Sequence, residues 1–87
     1  MLDEFLGEKV VVDLKSPFVC LGTLIRTDEH FLELKAADLH DLRDTDTSRE
    51  NYIVDSVHTG IKRNRKRVLV RRAEVVAVSL IEDVVDE

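Results

Sequence analysis

The sequence predicts a mostly β fold. It reads as five extended segments forming an antiparallel sheet strongly bent into a small barrel, with a short N-terminal helix and a second helix inserted between strands three and four. Three features predict it. Apolar residues alternate with period two from Val10 onward, so that Val10, Val12 and Leu14 share one face. Gly22 sits inside an extended run, where the missing side chain permits a sharp bend or a close backbone approach. The run Val75 to Ile81 is apolar on both faces, as a strand covered on both sides would be.

The elements follow in order. Leu2, Phe5 and Leu6 recur at helical spacing and Gly7 can stop the turn, giving a short helix that caps something apolar. Ser16-Pro17 interrupts the first strand, because proline lacks a ladder donor and biases its predecessor toward extended geometry. A second strand is expected from Phe18 to about Thr27. Asp28-Glu29 marks a turn, and a third strand runs from His30 to Lys35, continuing toward Leu42. Thr47 and Glu50 have capping-box spacing, Ile53, Val57 and Ile61 form an apolar stripe, and Gly60 offers a left-handed stop, so a helix is expected over about 48 to 59. Val68-Leu69-Val70 and Val75 to Ile81 supply the last two strands. The final one is either an edge covered by a neighbouring subunit or a central strand beneath the terminal helices.

Length and composition set the function classes. With 87 residues the chain is expected to be a single domain over 1 to 87, small enough to gain from covering surface in an oligomer. A hydrophobic content of 44 % and a charged content of 36 % are those of a folding chain. The one cysteine, Cys20, excludes an internal disulfide and reads as a buried, inert thiol. Apolar runs are too short for a bilayer and the acidic N-terminus lacks a basic leader region, so a cytoplasmic protein without a membrane partner is expected. His30, His40 and His58 have no metal-ligand spacing, the three glycines form no phosphate-cradling loop, and the carboxylates specify no acid and base pair. No metal, cofactor or catalytic site is expected, and the protein is read as a non-enzyme.

Charge distribution carries the functional hint. The formal net charge is −5, yet residues 62 to 72 hold seven of the thirteen basic side chains and no acid. The remaining six basic and eighteen acidic side chains leave −12 over the rest of the chain. Such a block focuses positive potential at one surface. Guanidinium groups form forked bonds to phosphate and stack on bases, so Lys62, Arg63, Arg65, Lys66, Arg67, Arg71 and Arg72 are candidate nucleic-acid contacts. His30, directly after a turn, offers a stacking ring. The same block also reads as a solvated loop that balances the acidic remainder.

The order of short helix, five strands, internal glycine and twin valine-rich closing strands resembles the Sm-like family. Its first motif resembles Val10-x-Val12-x-Leu14 followed by Gly22-x-Leu24-x-x-x-Asp28. Its second resembles Val68-Leu69-Val70-Arg71-Arg72-Ala73-Glu74-Val75-Val76, and together the pieces cover most of residues 7 to 81. The resemblance implies a strongly bent five-stranded barrel that assembles with itself into a hexameric or heptameric ring, the fourth strand of one subunit pairing with the fifth of the next. It also implies noncatalytic binding of single-stranded, often uridine-rich, RNA by the turns between strands two and three and between strands four and five. His30 then falls at a base-stacking position and Arg71 at a base-contacting arginine. Leu32 stands where the family normally has an asparagine that bonds the base edge, and leucine has neither donor nor acceptor. Arg72 replaces the glycine that follows the arginine, and the helix over about 48 to 59 is an insertion. A structural or protein-interaction ring that has lost the RNA pocket is the alternative this pattern leaves.

Overall fold

Strands form where the period-two pattern runs, and their pairing decides the architecture. The computed structural model describes residues 1–86. Five strands occupy Lys9–Leu14 (β1), Phe18–Thr27 (β2), Phe31–Asp41 (β3), Arg65–Arg71 (β4) and Val75–Leu80 (β5), and one α-helix, Arg49–Thr59 (α1), lies between β3 and β4. The N-terminal helix is a single 3-10 turn over Leu2–Phe5. All neighbouring strands are antiparallel, in the order β4-β3-β2-β1-β5.

That order corrects the expected barrel. β4 and β5 lie at opposite edges with three strands between them, so the sheet is open, neither closed on itself nor strongly curled. The feature that suggested a barrel has a more local role. Gly22 pairs with Val10, and a Cβ added to it would lie 3.0 Å from the Ala37 Cβ and 3.1 Å from the Lys35 carbonyl oxygen. The β2–β3 register shifts between Leu21 and Thr23, beside Ala36, whose φ is +49°. Gly22 thus accommodates a bulge in β3, a close approach instead of a closure.

Alternation on β1 and β2 gives the sheet two apolar faces. Val10, Val12 and Leu14 join Cys20, Leu24, Leu32, Leu34, Ala37 and Val70 in one core cluster, against which Leu2 and Phe5 of the N-terminal turn pack. Val11, Val19 and Leu21 face the other way and pack with Tyr52 and Ile53 of α1. β5 pairs with β1 only, so the doubly apolar closing strand is an edge. Val76 there remains 65 % exposed, and Leu69 on the opposite edge strand 46 %.

Helix α1 begins one residue later than the Thr47 capping box implied. Ser48 is the cap, its hydroxyl accepting the Asn51 amide at 3.2 Å, and Gly60 ends the helix with φ +93°. Its buried face is Tyr52, Ile53 and Ser56, while Val57 is exposed. A buried polar frame sets this rotation. The Tyr52 hydroxyl donates to Asp38, which is 1 % exposed, and the Tyr52 ring stacks on His40 at 3.8 Å. Among the described residues no helix is long and apolar enough to cross a membrane.

Candidate nucleic-acid interface

The β3–β4 ladder joins two turns that are forty residues apart in sequence. Phe31 is opposite Arg71, and just beyond that pair the Arg72 amide donates to the His30 carbonyl at 2.8 Å. The β2–β3 turn and the β4–β5 turn therefore meet at one end of the sheet. Between them lies an open hollow of about 560 Å³, lined by Glu29, His30, Phe31, Arg71, Arg72 and Ala73.

Asp28 builds the first turn. Its Oδ1 accepts the amides of His30 and Phe31, each at 2.8 Å, and its own amide donates to the Phe31 carbonyl at 3.0 Å. The amides of His30 and Phe31 hold the Asp28 carboxyl below its ordinary range. Thr27 ties the two turns together: its hydroxyl donates to the Phe31 carbonyl at 3.2 Å and accepts from Arg72 Nη2 at 2.8 Å. That contact orients the Arg72 guanidinium without neutralising it. Among the described residues neither Arg71 nor Arg72 has an acidic partner within ion-pair distance. The His30 ring is solvent-facing, 3.3 Å from a Glu29 carboxylate oxygen.

The hollow thus brings an imidazole ring, a phenyl ring and two guanidinium groups to one exposed surface. Rings and guanidinium planes are stacking surfaces for unpaired bases, and guanidinium groups also bond phosphate. Leu32 takes no part. It is buried at 1 % exposure and paired with Val70, so its side chain belongs to the core.

The rest of the basic run goes elsewhere. β4 is seven residues long, which at ~3.3 Å per residue puts Arg65 about 20 Å from Arg71. Arg63, Arg65 and Lys66 line a separate hollow at that far end, and exposed Lys62 lies in the connection from α1. Arg67 lies in neither hollow. It bonds Glu33, which also pairs with Arg26 at 2.9 Å, and the Arg67 bond chiefly holds the Glu33 carboxyl below its ordinary range.

Sequence reasoning missed Thr27, Glu29 and Phe31 at the first hollow. Phe31 was legible only as a strand residue alternating with His30; its place opposite Arg71 follows from register. Other candidate chemistry is quiet. Burial pushes the Cys20 thiol up to about 12, far from thiolate reactivity at neutral pH. Among the described residues no group of three or more His, Cys, Asp or Glu converges as a metal site.

The fold is similar to that of the Pyrococcus abyssi Sm protein solved in complex with a uridine heptamer, with a TM-score of 0.63 and 22 % identity over 91 % of this chain and 90 % of that one. The chain has an Sm-like fold. No family model matches the chain, and no curated protein matches its sequence.

Proposed function

We infer that the protein is a noncatalytic RNA-binding module whose copies assemble into a hexameric or heptameric ring and bind single-stranded RNA. His30 stacks on a base, Arg71 contacts the base from the opposite turn, and Arg72 draws the phosphate. The observation that carries this reading is the hollow in which the Phe31–Arg71 pair and the Arg72–His30 backbone bond bring an aromatic ring and two unpaired guanidinium groups together. Support comes from the Sm-like fold, whose Pyrococcus example holds a uridine heptamer. The unpaired edges β4 and β5 suit pairing between copies, since an exposed apolar edge invites another strand.

Leu32 sets the selectivity. With no polar group at that position, base choice rests on stacking, so uridine preference is weak and affinity depends strongly on salt. The test is binding of short oligouridine and mixed-sequence RNA over a salt series. Replacing both Arg71 and Arg72 with alanine should weaken binding and flatten the log–log salt slope by about 1.4 per engaged copy, from roughly 0.7 for each of two lost phosphate contacts. His30→Ala should weaken binding with little change in slope. Unchanged affinity in the arginine variant would contradict the reading and favour a ring that recruits protein. RNA cleavage abolished by a single acidic or histidine substitution would contradict the noncatalytic assignment.

A further inference from the structure

The basic run feeds two hollows, and the second has its own construction. It measures about 510 Å³ and is lined by Lys35, Ala36, Arg63, Asn64, Arg65 and Lys66. Four of these are cationic and none is acidic. Among the described residues none of the four cations takes part in an ion pair.

Asn64 fixes the frame. Its amide donates to the Ala37 carbonyl at 2.8 Å, its Oδ1 accepts the Leu39 amide at 2.9 Å, and its Nδ2 donates to the Leu39 carbonyl at 3.0 Å and to Asp38 Oδ1 at 3.2 Å. The Asn64 carbonyl accepts from Arg65 Nη1 at 3.0 Å. Arg63 and Arg65 thus flank a residue pinned to β3 by four bonds, so the cations are held before any ligand arrives and less ordering is left for binding to impose. Asp38 lies beneath, 1 % exposed and committed to Tyr52 and Asn64, and its one charge leaves the hollow positive.

No aromatic side chain lines this hollow, so it offers charge and forked donors without a stacking platform. We propose that it is a second RNA site, which holds backbone phosphates without base selection and engages the same strand that occupies the His30 turn. The proposal rests on the RNA-binding reading of the first hollow. With the two hollows at opposite ends of β4, about 20 Å apart, a short oligomer seated at the His30 turn does not reach the second, whereas a long strand does.

The test compares short oligouridine with long unstructured RNA, by fluorescence anisotropy over a salt series. The proteins are wild type, the Arg63→Ala/Lys66→Ala pair and the Arg71→Ala/Arg72→Ala pair. Arg63 and Lys66 are exposed and Asn64 is retained, so circular dichroism should be unchanged. The Arg63→Ala/Lys66→Ala pair should leave short-oligouridine affinity at the wild-type level. It should weaken long RNA about tenfold and lower its salt slope by roughly 1.4 per engaged copy. Wild-type affinity and slope for long RNA would overturn the second site. So would loss of a glutamate-rich peptide's binding in that variant with long-RNA binding intact, which would assign the hollow to an acidic protein partner. Failure of the first reading is separate: it appears as undiminished short-oligouridine binding in the Arg71→Ala/Arg72→Ala pair.

Discussion

Asp28 shows how much one exposed side chain contributes to the candidate site. Its carboxylate accepts the two amides that place His30 and Phe31, and those bonds lower its pKa from the ordinary 3.8. A group with a depressed folded-state pKa stabilises the fold fully above its unfolded pKa and loses that contribution as pH falls through the folded value. The turn should therefore be intact at pH 5 and loosen only on acidification below about pH 4, the ordinary range for aspartate. In NMR spectra the His30 and Phe31 amides should titrate in that acid window, and Asp28→Asn, which keeps an acceptor oxygen, should abolish the titration. The same titration in the variant would show that Asp28 does not hold the turn. Asp28 was legible as a turn signal, and His30 and Arg71 as candidates from their place in the pattern. Thr27 was not, because its tie to Arg72 spans 45 positions and exists only once β3 has paired with β4.

At the scale of elements, the strands were legible because their alternation is strong: the expected second strand, Phe18 to Thr27, has the observed bounds. The extent of the inserted helix was legible from its end signals, whereas its buried face was not. An apolar stripe through Ile53 and Val57 predicts one rotation, but the buried bond from Tyr52 to Asp38 selects another and leaves Val57 exposed. Nothing in the helix sequence announces a partner in β3. Gly22 gives the complementary lesson, since glycine in a strand signals a close approach without saying to what. Here Ala37 occupies the space, so Gly22→Ala should destabilise the protein by about 1–3 kcal/mol through overpacking against β3. Chemical denaturation checks this; wild-type stability would mean that the bulge yields freely.

At the scale of the molecule, the sequence pattern suggested a sheet closed on itself, and the structure instead leaves two edges. Apolar residues on both faces of a strand say that it is covered, without saying by which chain. The sheet order puts the basic β4 and the apolar β5 at opposite edges, each with an apolar side chain exposed, Leu69 on one and Val76 on the other. Pairing those edges between copies repeats the His30–Arg71–Arg72 hollow around an assembly, so weak contacts at each copy combine on one strand of RNA. Native mass spectrometry of the protein mixed with short oligouridine tests this most directly. The account predicts a closed six- or seven-copy species that carries RNA and loses it when Arg71 and Arg72 are alanine. A monomer that binds RNA equally well, or a ring whose RNA load is indifferent to those two arginines, would contradict it.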